Sequence, residues 1–225
     1  MFRKAGILSF GFLATISLLS TNIFACACCA EPGTRINFTT NTDQVIRDLV
    51  KEFKIADKAE LYMTEAGFDI IEGLDQIQKE DEATTGLINF SASGSFAGNS
   101  WKLTLRSVKG LPAIYSIPVP LKYSEFKVDI HDRKDMPLGP WLYKEIRFEG
   151  TLLSATGFAR AGAVRDTRYS LVFQGRGVGC NEVEDFTHWR MEINGPKARY
   201  AFFGKLSSGR KEEVAESTAL LDRSH

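Results

Sequence analysis

Residues 186–193 read FTHWRMEI, and their order decides the fold: Trp189, Met191 and Ile193 alternate with His188, Arg190 and Glu192. Strict alternation is the period of a β-strand, whose successive side chains point to opposite faces. One face of this segment is therefore apolar and the other charged, the mark of a half-buried strand. The same period extends outward in both directions. Tyr169, Leu171 and Phe173 share one side before it, and "ARYAFFGKL" (198–206) follows it. Further back, the alternating sets are Ile88, Phe90 and Ala92, then Trp101, Leu103 and Leu105, then Phe126, Val128 and Ile130, then Ile146, Phe148 and Leu152. Between the runs lie "SGSFAGN", "KDMPLGP", "GRGVGCNEVED" and "INGPKA", rich in the residues that make turns.

The chain is therefore expected to be mainly β, a single antiparallel β-sandwich or barrel of about 7–8 strands with one N-terminal amphipathic helix. The helix is expected in "NTDQVIRDLVKEF" (41–53), where Val45, Ile46, Leu49, Val50 and Phe53 fall at helical spacing and Asn41 or Thr42 can serve as N-cap. "ELYMTEAGFDIIEGLDQIQ" (60–78) reads as a strand through Leu61 and Met63, then a short helix or turn. A lipocalin-like variant of the barrel gains no support, because Trp101 stands in mid-chain and does not open the first strand.

The amino terminus carries an address. "MFRK" is a short basic leader, and "AGILSFGFLATISLL" has the length and polarity of a secretory h-region, too short and too diluted by Gly and Ser to cross a bilayer. Ala25 and Ala27 form the A-x-A pattern of a cleavage site, so residues 1–27 are read as a signal peptide, with a cut after Ala25 as the near alternative. Residues 28–40 then form a Cys-containing segment, 41–206 the β-rich domain, and 207–225 a mobile polar tail. Export places the protein in a periplasmic or extracellular space. Tethering as a lipoprotein is the lesser alternative, since "IFAC" has bulky Phe24 where a small residue is usual.

That address governs the cysteines. Cys28 and Cys29 are adjacent, with α-carbons about 3.8 Å apart, too close for a relaxed bridge. The economical disulfide runs from Cys28 or Cys29 to Cys180. The alternative is a copper or zinc site built from Cys28, Cys29, Cys180 and His188; it lacks the paired C-x-x-C spacing of zinc sites, and no cofactor is expected.

Charge narrows the partners. The full chain balances 28 basic against 28 acidic residues. Loss of Arg3 and Lys4 with the leader would leave 26 against 28, with the signs interleaved as in "HDRKD". Phosphate backbones need clustered Lys and Arg, so nucleic acid is not an expected partner.

Candidate chemistry is sparse. His188, Asp185 and Arg190 cluster in sequence beside a glycine-rich bend and Cys180, the best place for a small exported hydrolase; a Cys180–His188 dyad would need a thiolate, and an exported cysteine is more often oxidised than catalytic. His131 and Asp129 could converge at a strand end, although a solvated strand end beside a charged turn is the favoured reading. "GRGVGC" lacks the dinucleotide and triphosphate fingerprints and reads as a bulged strand end, with Asn181 and Glu184 able to cap a turn after it. Neither G-x-S-x-G nor H-E-x-x-H occurs. Glu145 and Glu149 share a strand face, as do Glu125 and Asp129, the arrangement that a carboxylate pair would need. Asn37 and Asn89 head glycosylation sequons that matter only in a eukaryotic secretory path. The expectation is an exported binding or structural module with an unidentified ligand or protein partner.

Overall fold

The computed structural model describes residues 28–63, 88–107, 112–130 and 141–210. The leader, the stretch after Met63, His131 and the tail from 211 lie outside them. Within the described residues, eleven strands form one antiparallel sheet. They are β1 (Arg35–Asn41), β2 (Ile55–Met63), β3 (Ile88–Ser95), β4 (Ser100–Arg106), β5 (Ala113–Pro118) and β6 (Lys122–Val128). After these come β7 (Leu142–Thr151), β8 (Ser154–Ala155), β9 (Arg168–Gly177), β10 (Phe186–Gly195) and β11 (Ala198–Leu206). Their order across the sheet is β1-β6-β7-β9-β10-β11-β2-β3-β4-β5-β8.

Chain connectivity forces this sheet to curl. In sheet order β5 and β6 stand eight strand spacings apart, roughly 38 Å if the sheet were flat. Only residues 119–121 join them, a reach of about 14 Å from Pro118 to Lys122. The two ends of the sheet must therefore approach each other. Leu152 and Leu153 repeat the constraint, carrying the chain from β7 to β8 on the β5 edge, with the Leu153 N–H donating to Ser116 O at 3.1 Å. The result is a half-barrel, not the sandwich included in the sequence expectation, and it has eleven strands instead of seven or eight. β1, β5 and β8 account for the difference: β1 is largely exposed, β5 is closed by Pro118, and β8 is two residues long.

Aromatic side chains fill the concave side. Trp101 on β4 meets Phe148 on β7 with centroids 4.9 Å apart, and Phe90 on β3 meets Phe202 on β11 at 5.4 Å. Phe96 reaches Phe173 at 5.4 Å across the interior. Edge-to-face pairs of this kind contribute about 0.5–1.5 kcal/mol each beyond the area they bury. The Tyr115 and Tyr200 hydroxyls hydrogen-bond to each other at 3.0 Å, so the buried phenols have partners.

The expected helix exists as α1 (Gln44–Glu52), but its N-cap is Asp43, whose Oδ1 accepts the Ile46 N–H at 3.0 Å. Asn41 is not available as a cap because β1 runs through it. Ile46, Val50 and Phe53 face the core, and Phe53 packs on Phe173 at 4.5 Å and Phe186 at 5.2 Å. The helix thus plugs one end of the curl. Val45 turns to solvent.

Candidate functional site

On β6 the period of two holds, but the faces are reversed from expectation. Tyr123, Glu125 and Lys127 are buried on the concave side, while Phe126 and Val128 lie on the convex side and are only half-buried. On β7, Lys144 stands among Leu142, Ile146 and Phe148 on the same concave face and is fully buried. Lys127 and Lys144 are register partners, so two ammonium groups lie side by side away from water. Each needs a counter-charge there, since an unpaired buried charge is very costly.

The chain between β9 and β10 supplies what they need. Lys144 Nζ donates to the Asp185 carboxylate and to Cys180 O. Lys127 Nζ pairs with Glu125 at 2.6 Å and donates to Gly179 O. Asn181 donates from Nδ2 to Glu125 Oε2 at 3.0 Å, so it does not cap the following 3-10 turn, Val183–Asp185. Arg210 approaches Asp185 at 3.6 Å while its guanidinium lies 4.7 Å from the Trp141 ring centroid. Burial pushes the Lys144 ammonium below the usual lysine range, and the Asp185 contact opposes that shift.

Glycines let this segment lie directly on the sheet. A β-carbon on Gly175 would fall 1.8 Å from Asp185 O, and one on Gly177 2.0 Å from the Asp185 carboxyl carbon. The glycine-rich "GRGVGC" is therefore a landing strip for Asp185. A bulge does occur here, with the extra residue on β10: the pairing slips between Phe186 and His188 opposite Gly175 and Gln174. Farther along, Gly179 donates its N–H to Cys28 O, and Cys28 is disulfide-bonded to Cys180 across 152 residues. Cys29 is also disulfide-bonded. None of these three sulfurs is a thiolate, so Cys180 is not a nucleophile beside His188 and the thiolate ligand set is not in place.

The residues predicted for catalysis are not brought together. Asp185 lies on the concave side over Gly177. His188 and Arg190 alternate with buried Trp189 and Met191, which puts them on the convex side. His188 Nδ1 hydrogen-bonds Thr187 Oγ1 at 2.9 Å, and Arg190 pairs with Glu192 at 3.0 Å. Asp129 Oδ2 accepts the Gly33 N–H at 3.0 Å. Glu125 has turned inward to Lys127, away from any shared surface pair.

Glu145 and Glu149 do share an open face, and a groove of about 370 Å³ lies there, lined by Asn37, Ser124, Phe126, Glu145, Arg147 and Glu149. The register explains the grouping: Asn37, Phe126 and Glu145 stand opposite one another on β1, β6 and β7, and Ser124 stands opposite Arg147. Arg147 sits between the carboxylates, 3.2 Å from Glu145 and 4.0 Å from Glu149. Tyr143 donates its hydroxyl to Glu145 at 2.6 Å, and burial together with that bond pushes its phenol well above the usual range. Sequence reading singled out the carboxylates, passed over Arg147 although alternation along β7 places it between them, and named Asn37 only as a sequon; Asn37 and Ser124 join the groove through strand register, which spacing along the chain does not show.

No family model matches this chain, and comparison with curated proteins and with solved structures yields no match to either.

Proposed function

We propose that this chain is an exported binding module that holds a ligand or protein partner on the convex face of β1, β6 and β7 and performs no covalent chemistry. The observation that carries this reading is the contrast between the two sides of the sheet. The concave side is occupied by interlocked aromatics and by charges that neutralise one another. The convex groove leaves polar groups and the half-buried Phe126 open to solvent. A paired Glu–Arg–Glu row beside an aromatic ring offers hydrogen-bond donors and acceptors at fixed positions with an apolar surface next to them, the composition of a specific seat. The Cys28–Cys180 bond suits an oxidising compartment. Among the described residues no helix is long and apolar enough to cross a membrane.

A thermal-shift screen of the purified exported chain against panels of sugars, peptides and small anions tests this. The expected result is a stabilising compound whose shift disappears in Phe126→Ala and Arg147→Ala and persists in His188→Ala. A shift indifferent to both groove substitutions, or turnover of a hydrolase substrate that His188→Ala abolishes, would overturn it.

A further inference from the structure

β1 stands at one end of the sheet and pairs with β6 alone. At the two ends of that pairing the Asp129 N–H donates to Thr34 O at 2.8 Å and the Thr42 N–H donates to Leu121 O at 2.9 Å. A residue in an antiparallel ladder turns its N–H and C=O to the same side, and the next residue turns them to the other. Thr34, Ile36, Phe38, Thr40 and Thr42 therefore face β6, while Arg35, Asn37, Thr39 and Asn41 present both groups outward. Among the described residues no backbone group meets those four. The edge also lacks the usual defences against pairing. At the opposite end of the sheet β8 is two residues long and β5 closes on Pro118. β1 is seven residues long, its register runs without a bulge, only Ile36 is half-buried, and RINFTTN holds neither Pro nor Lys.

We propose that a second copy of this chain pairs antiparallel with the outer edge of β1, about a two-fold axis at Phe38, joining two half-barrels in one continuous sheet. In that register the strand is complementary to itself. Arg35 meets Asn41 of the second copy and Asn37 meets its Thr39, so every outward N–H and C=O gains a partner. The strand's one charged side chain, Arg35, lies opposite an amide and not opposite its own copy. Phe38 falls opposite Phe38 of the second copy. Its own backbone groups face β6, which makes this a non-hydrogen-bonded pair, with α-carbons about 4.5 Å apart and side chains at their closest. Phe38 is the large apolar side chain that remains exposed within a described strand, at 42 %, with the Tyr123 ring 6.5 Å away on its inner side. Any other antiparallel register leaves outward groups at one end of β1 without a strand opposite and separates the two rings. An extended peptide of unrelated sequence would satisfy the backbone but would have no such match at Phe38 and Arg35. The contact is isologous, so assembly closes at two copies.

Sedimentation of the purified oxidised chain across a range of concentrations tests this, independently of the groove. Thr39→Pro removes an outward donor and leaves the bonds to β6 in place, and Phe38→Lys sets two ammonium groups against each other at the axis. The expected result is a reversible monomer–dimer equilibrium that either substitution weakens about tenfold or more. Circular dichroism and the melting temperature in dilute solution should stay unchanged in both variants. Phe38→Cys should close a disulfide between two copies, because a non-hydrogen-bonded pair lies within disulfide reach. Thr40→Cys, which meets Ile36 of the second copy, should not. A monomer at every concentration, a dimer indifferent to both substitutions, or cross-linking of Thr40→Cys as fast as that of Phe38→Cys overturns the proposal.

Discussion

Gly177 has no side chain because the Asp185 carboxylate occupies the space one would need. Adding a methyl group there must push Asp185 off Lys144, so Gly177→Ala should cost about 1–3 kcal/mol in chemical denaturation; an unchanged midpoint would contradict the packing. Lys144→Met removes the closer of the two counter-charges of buried Asp185, leaving Arg210 at 3.6 Å, and should cost about 3 kcal/mol. Lys144→Met combined with Asp185→Leu should cost less than the sum of the two single changes, as a double-mutant cycle would measure. The tyrosines make a pH prediction. Burial raises the Tyr169 and Tyr200 phenols from the usual 10.0 to about 12, and raises Tyr115 well above the usual range. A phenol whose folded pKa is raised contributes stability that is present below pH 10 and lost as pH climbs through the folded value. Stability should therefore fall between pH 10 and 12, with tyrosinate absorbance appearing together with unfolding; early tyrosinate absorbance from a folded chain would contradict it. At this scale the sequence showed that Gly175, Gly177 and Gly179 were special. It did not show why, because what Gly175 and Gly177 accommodate is a close approach by a residue eight to ten positions away.

Elements were legible to the extent that burial followed polarity. β9, β10 and β11 have apolar concave faces, and alternation places those core residues correctly, although the convex side also carries apolar Val172, Ala201 and Phe203. β6 was misread because its buried face carries Glu125 and Lys127, which polarity assigns to water. Those charges are tolerable only because the segment after β9 folds over them. β1 escaped detection for the opposite reason: it pairs with β6 alone and buries almost nothing. The segment over the charges is held by Cys28–Cys180, whose loop of 152 residues corresponds to about 5 kcal/mol in the chain-entropy model. Cys180→Ser should lower the melting temperature, and amide exchange should accelerate first in 178–185 and in β1. Equal acceleration across β9 to β11 would contradict the view that the disulfide pins this segment locally.

For the whole molecule, a β class and one core were visible in the alternation, whereas the half-barrel was not. Curling follows from which strands pair, and sequence periodicity carries no information about that. Once the order is known, the three-residue link from β5 to β6 makes curling unavoidable. The curl then fills itself: Trp101, Phe148, Phe173 and Phe202 occupy space that a ligand-carrying barrel would leave open. The binding proposed for this chain is therefore placed on the outside. The groove's composition was only partly legible, through Glu145 and Glu149, since its other walls come from β1 and β6.

A closed interior is the premise of that assignment, and titration of the oxidised protein with a fluorescent fatty-acid analogue tests it most directly. The predicted result is no saturable uptake, with the emission of buried Trp101 and Trp189 unchanged. Saturable one-to-one binding that quenches those tryptophans would show an open interior and contradict it.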